Sequence, residues 1–425
     1  LKNKKTNRFS FDSRIDYGLI LPAFMLILIG LYALYVAVTH DHPDQATQML
    51  VGQGTWIVVG IFLAFIVMHL DSRFLWTLTP VFYGLGLVLM VLPIFFYNEA
   101  TYLSTGAKNW LAFGGRNLFQ PSEFMKIAYI LFSARIVVTF QNKLKNRILK
   151  DDFRLIGLLI LATVPVAVLV ALQHDFGTFL VFAAIFAGIV LVSGVSWKIL
   201  GPAFLAVVAV GAGVIALVAS PEGQKFLEST SFAQYQVNRF IAWLHPFENA
   251  QTFSLQQARS LISVGIGGLW GHGLGVANIN VPVRESDMIF TVIAEDFGFV
   301  GSAFLIFLYF MLIYRMIRVT FKSNNQFYTY ISTGIIMMIL FHVFENIGAA
   351  IGVVPLTGIP LPFISQGGSA LMSNIIGLGL VLSMKYNQLP DFARVRAQSQ
   401  VKMNKPVQSK VTPNNSRKTR AKNKR

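Results

Sequence analysis

Cysteine is absent from the 425 residues, which excludes disulfides, thiolate metal sites and a cysteine nucleophile. Charge is scarce as well: Asp, Glu, Lys and Arg supply 13% of the chain, against 54% hydrophobic residues. The mean hydropathy of +0.59 is more apolar than a soluble domain needs, so lipid must cover much of the surface. Acidic residues are the rarer charge, 19 against 35 basic, leaving a net +16. The placement of that excess argues against a nucleic-acid partner. Lys2, Lys4, Lys5 and Arg8 precede the first apolar run, and Arg394, Arg396, Lys402, Lys405, Lys410, Arg417, Lys418, Arg420, Lys422, Lys424 and Arg425 follow the last. Such flanks set topology and meet anionic membrane lipids. Residues 1–16 therefore read as a basic cytoplasmic N-terminus and residues 390–425 as a disordered basic cytoplasmic tail.

What the chain has in abundance is apolar runs. Ten begin near Tyr17, Thr55, Phe74, Phe119, Leu155, Phe176, Ile199, Asp287, Phe327 and Ser369, each with about 20 residues, enough at ~1.5 Å per residue for a ~30 Å core. The expected fold is an all-α polytopic membrane protein with ten transmembrane helices over residues 17–389. The first run lacks a small-residue cleavage site and exceeds a signal-peptide core, so it reads as a retained helix. Arg73, then Lys143, Lys145, Arg147 and Lys150, then Lys198, then Arg315, Arg318 and Lys322 fall in alternate loops, which places those loops and both termini in the cytoplasm of a cell-membrane protein. The opposite loops, expected outside, include 98–118, 173–175, a large one at 220–286 between helices seven and eight, and 353–368. Within the large loop, 226–244 mixes aromatic and polar residues as an interfacial helix does. The glycines from Gly265 to Gly275 lack the Gly-Lys-Ser/Thr of a nucleotide loop and suit tight backbone packing.

Ionisable groups inside spanning segments cost about 3 kcal/mol each, so each requires a reason. Four clusters stand out. Glu123 and Lys126, just after Pro121-Ser122, share a helical face, either as a buried ion pair or as a functional pair, and Ser122 is placed to cap their helix. Asp175, in the turn Gln173-His174-Asp175, either caps the next helix or meets substrate; neighbouring His174 has no second ligand at metal spacing. Asp287 ends the stretch Pro282-Val283-Arg284-Glu285-Ser286-Asp287 at the water–lipid boundary. Partial desolvation there raises a carboxyl pKa toward one useful for taking a hydroxyl proton, and Ser286 is free to do any capping. The fourth cluster joins Glu345-Asn346 to the Pro- and Gly-broken segment from Val354 to Ser369. That segment either offers Ser365, Gln366 and Ser369 to a phosphate or acts as a rigid plug.

Five motifs stand in order along the chain: Gly-Ala-Lys-x-Trp from Gly106, Phe-Gln-Pro-Ser-Glu-x-x-Lys from Phe119, Gln-x-Asp-x-Gly-Thr from Gln173, Ser286-Asp287, and Pro-Leu-Thr-Gly-Ile-Pro-Leu-Pro-Phe-Ile-Ser-Gln-Gly-Gly-Ser from Pro355. In this the sequence resembles the SEDS family (shape, elongation, division and sporulation), and Asp16-Tyr17, Leu356 to Ile359 and Ser-Gln-Gly-Gly are more similar to its Gram-positive RodA branch than to its FtsW branch. The resemblance implies a ten-helix glycosyltransferase that polymerises lipid II into glycan strands, with Asp287 on the family's essential aspartate and Glu123 and Lys126 on its functional Glu and Lys. It also implies a class B penicillin-binding protein as partner. Val283 and Glu285 depart from the family's usual Glu and His, and His174 stands where Pro is common, so chemistry is assigned only to Asp287. On this reading Asp287 is the base for the acceptor hydroxyl, Asp175 meets substrate, and Trp110 stacks on sugar. Lys108, Arg239, Arg259 and Arg284 are the candidate cations for the departing pyrophosphate, with room for a divalent cation, Mg or Mn. The competing classes are a lipid II transporter and a membrane scaffold for the transpeptidase.

Overall fold

The computed structural model describes residues 14–144, 146–220, 222–223, 234–276 and 278–387. Among the described residues eight helices are long and apolar enough to cross a membrane: α1 (Tyr17–Asp41), α2 (Ala46–Met68), α3 (Ser72–Phe95), α6 (Leu149–Leu172), α8 (Trp197–Ala219), α11 (Ile289–Ser323), α12 (Gln326–Ala350) and α13 (Gly368–Tyr386). The shorter α7 (Phe176–Val192) and the more polar α5 (Pro121–Asn142) complete the expected ten. Three short helices lie between them: α4 (Glu99–Thr105), α9 (Gln234–Leu244) and α10 (Leu255–Ile266). Two features depart from the expected boundaries. α2 begins at Ala46 rather than Thr55, because the polar Gln53 is satisfied inside the bundle, where its Nε2 donates to the Ser365 carbonyl at 3.1 Å. A small antiparallel hairpin, Leu111–Phe113 with Arg116–Phe119, stands in the loop between α3 and α5. The tail from 390 and most of the basic N-terminus lie outside the described residues, as do residues 226–233 of the expected interfacial helix.

The bundle has two distinct ends. At one, Lys385 of α13 donates to Asp16 at 3.2 Å, Asn387 reaches the carbonyls of Met68 and Leu70, and Arg315 presses on Gly18. This terminal end also carries Arg147, which joins Asp152 at 2.6 Å and the Ser193 carbonyl at 2.7 Å. At the far end the α1 terminus meets the loop before α11, and the loop before α5 meets the turn before α7. Small residues bring backbones together in between. α13 packs along α2, and α1 carries Gly30 where a Cβ would fall 2.6 Å from Ile364 Cα. By contrast α8 fully buries only Val218 among its apolar side chains and presents most of the others outward, as a lipid-facing helix does.

The glycine run packs as its composition implies. α11 is broken at Gly298 (φ 62°, ψ −155°), which frees main-chain groups that hydrocarbon would leave unsatisfied. The segment after α10 takes them up: His272 and Gly273 N–H groups donate to the carbonyls of Glu295 and Asp296, while Phe299 and Val300 donate back to Gly268 and Leu269. Side chains below lock the same join, with Tyr32 donating to Asp296 at 2.5 Å and Ser263 to Glu295 at 2.7 Å. Gly271 has φ 79°, and a Cβ there would sit 2.1 Å from the Asp296 oxygen. Gly271→Ala is therefore expected to lose about 1–3 kcal/mol to backbone strain and about 1–3 kcal/mol more to overpacking. Thermal unfolding of the purified protein in detergent checks this; an unchanged midpoint contradicts the packing described.

Candidate active site

The far end of the bundle encloses an open cavity of about 500 Å³. Its walls come from α5, α7, α9, the loop ahead of α11, α12 and the broken segment 355–367. Asp287 sits on one wall, partly exposed to the cavity. It does not cap α11, whose N-cap is Met288 without any side-chain bond, and neither does Ser286, whose hydroxyl donates to Asp287 Oδ1 at 2.9 Å. Burial pushes the Asp287 carboxyl above its ordinary value; the Ser286 hydrogen bond and the Arg239 charge oppose that shift, and Glu285 adds to it. Gly358 (φ 82°) borders the carboxylate closely: a Cβ there would lie 3.3 Å from Asp287 Oδ2 and 3.5 Å from an Arg239 guanidinium nitrogen. A partly desolvated carboxylate with a cation beside it is equipped to accept a proton while the cation meets developing negative charge.

The cavity lining also carries a buried ion pair. Lys126 and Glu123, 2% and 3% exposed, lie 2.9 Å apart on the first turns of α5. Ser122 does not cap that helix as expected; its hydroxyl is buried without a hydrogen-bond partner among the described residues. His342 of α12 completes the group. Its Nδ1 lies 2.5 Å from the Met338 carbonyl, which can only accept, so Nδ1 carries the proton and Nε2 accepts from Lys126 Nζ at 3.2 Å. Asp175 caps its helix and also faces the cavity. It caps α7 through the Thr178 N–H at 3.0 Å, and its Oδ2, facing the cavity, accepts from Asn109 at 2.6 Å, Thr178 Oγ1 at 2.8 Å and Gln120 at 3.3 Å.

Trp110, Arg239, Gln366 and Ser369 also line the cavity, whereas Lys108, Arg259, Arg284 and Ser365 do not. Arg284 is 0% exposed, gripping Asp41 through Nε at 3.0 Å and Nη2 at 3.1 Å and donating to the Ile279 carbonyl. It cannot serve a leaving group and instead fastens its loop to α1. Arg259 donates to the Asn280 carbonyl at 2.8 Å, away from the lining. The Lys108 ammonium sits over the rings of Tyr97 at 4.4 Å and Tyr102 at 4.8 Å, a cation–π arrangement. Ser365 ties the broken segment to the loop before α11, donating to the Ser286 carbonyl at 2.6 Å. Of the four candidate cations only Arg239 faces the cavity. His342 was missed because a lone histidine in an apolar run shows no partner in sequence. Glu345 was noted as a residue, but not its grip on Thr357, whose N–H and hydroxyl both donate to it. Among the described residues no three His, Asp or Glu side chains gather to hold a metal.

Known proteins carry the same architecture. The chain is 30% identical to stage V sporulation protein E of Bacillus subtilis (strain 168), over 87% of this chain and 96% of that protein. It is 30% identical to the peptidoglycan glycosyltransferase MrdB of Escherichia coli (strain K12), over 85% of this chain and 92% of that one. Among solved structures, the rod shape determining protein RodA of Thermus thermophilus superposes with a TM-score of 0.61 at 26% identity, covering 89% of this chain and 98% of that one. A chain of a peptidoglycan synthase complex, studied for its coordination of polymerization and crosslinking, superposes with a TM-score of 0.69 at 27% identity, covering 88% and 99%. The family model of FtsW, RodA and SpoVE, described as cell cycle protein, matches residues 17–389. With that match spanning the whole helical bundle and its cavity, this multi-pass membrane protein belongs to the SEDS family.

Proposed function

We propose that the chain is a peptidoglycan glycosyltransferase that polymerises lipid II at the outer face of the cell membrane. The observation that carries this reading is Asp287: a carboxylate spent, among the described residues, on neither a cap nor a close ion pair, facing a cavity large enough for sugar, with Arg239 beside it. Asp287 takes the proton from the acceptor sugar's 4-hydroxyl as that oxygen attacks the anomeric carbon of a second lipid-linked chain. The attack inverts that centre and expels the pyrophosphate-lipid, whose charge Arg239 meets. The mechanism needs no step through a metal. Relatives named as peptidoglycan glycosyltransferases support the activity.

Charge supports the proposed sidedness. Arg147, Arg315, Arg318 and Lys385 belong to the terminal end, so the positive-inside rule puts both termini in the cytoplasm and the cavity outside. A class B penicillin-binding protein is the proposed partner, supported by the likeness to a chain from a polymerising and crosslinking complex. The RodA-like wording of Leu356 to Ile359 favours cell elongation over division. Reconstituting the protein alone with labelled lipid II, and measuring polymer and transbilayer movement separately, tests the activity: polymer without movement is expected, and movement without polymer would select a transporter instead.

A further inference from the structure

We propose that Asn346 of α12 is a positioning residue for Asp287, a role that rests on Asp287 being the base. Its carboxamide Nδ2 donates both hydrogens, one to the main-chain carbonyl of Asp287 at 2.7 Å and one to that of Ile359 at 2.9 Å. Both carbonyls lie outside regular helix. The first helical residue of α11 is Ile289 and its opening bond runs from Thr291 N–H to the Met288 carbonyl, so the Asp287 carbonyl has no helical donor. Ile359 follows Gly358 in the broken segment and is buried.

One 1%-exposed side chain thus sets the spacing between the backbone of the base and the strand of chain that borders its carboxylate. The loop bearing Asp287 is secured on its other sides too: Arg284 holds it to Asp41, Ser365 holds the Ser286 carbonyl, and the Gln366 N–H donates to the Glu285 carbonyl at 2.9 Å. Those ties act on the preceding residues. Asn346 alone among them bonds Asp287 itself, and it does so together with the residue after Gly358, whose backbone lies against Asp287 Oδ2 and Arg239. Only a side chain with two N–H groups on one nitrogen can fill this place; a carboxylate would turn lone pairs toward two carbonyls.

The groups facing Asp287 are Ser286 and Glu285 from its own loop, Arg239 from α9 and Glu345 from α12. Shifting the loop changes the carboxylate's distance from all of them and its depth below water. The test compares wild type, Asn346→Ala, Asn346→Ser and Asp287→Asn, purified in detergent and assayed on lipid II across pH. A misplacement of about 1 Å can cost on the order of 100-fold, so Asn346→Ala is expected to lower kcat about 10- to 100-fold, with KM within about threefold and the acid limb displaced. Asn346→Ser, which keeps one donor, should fall between. Folded Asn346→Ala with wild-type kcat and an unmoved acid limb overturns the proposal, as does failure of both Asn346 variants to fold, which would mark a purely structural tie. An active Asp287→Asn would instead refute the base assignment, so the two failures are separable.

Discussion

Asp287→Asn in the purified protein is expected to lower lipid II polymerisation by about 10²- to 10⁴-fold, the range that a general base contributes, while leaving the protein folded. The substitution keeps the side chain's shape and removes only its capacity to take a proton. Its effect on stability should run the other way. Burial raises the folded-state pKa of this carboxyl above its unfolded value, so the stability contributed by its protonated form is fully present below the unfolded pKa and is lost as pH rises through the raised one. An asparagine carries no such penalty. The variant should therefore unfold at a higher temperature than wild type at pH 8, with the gap narrowing toward pH 4, as befits a group held for chemistry rather than stability. Wild-type activity should decline as pH falls through the same raised pKa, because the base must be ionised. Near-normal polymerisation by Asp287→Asn removes the assignment. A stability gap that ignores pH removes the account of its burial.

The pattern of success in reading this sequence follows the reach of each interaction. Spanning helices are local objects: twenty apolar residues in a row decide them, and all ten runs became helices. Clusters of polar residues where lipid should be are also visible in one dimension, which is why Asp287, Asp175, Glu123 and Lys126 were legible. The fate of a long cation is not local. Arg284 and Arg239 look alike in sequence, yet one is captured by Asp41, 243 positions away, and the other faces the cavity. His342 and Asn346 reach the site through partners on other elements, Lys126 in one case and the Asp287 carbonyl in the other. The break at Gly298 was hidden for the same reason, since the glycines that satisfy it stand some thirty residues earlier.

Lys126→Met is expected to destabilise the fold by about 3–5 kcal/mol, the usual consequence of stranding one member of a buried ion pair. Glu123, 3% exposed, has Lys126 as its ion-pair partner among the described residues, and its main chain is held to α13 by the Ser373 hydroxyl at 3.0 Å. The double variant Glu123→Gln with Lys126→Met removes both charges and should recover most of the loss, because a neutral pair of similar volume avoids the desolvation of two ions. Activity should not recover with it. Both side chains line the same cavity as Asp287, and a neutral pair no longer presents an ammonium to a lipid-linked phosphate. Thermal unfolding and lipid II polymerisation, measured on the two single variants and the double, separate these effects. An unchanged midpoint in Lys126→Met would show that the pair is not buried as described, and full activity in the stable double variant would confine the pair to holding α5 in place.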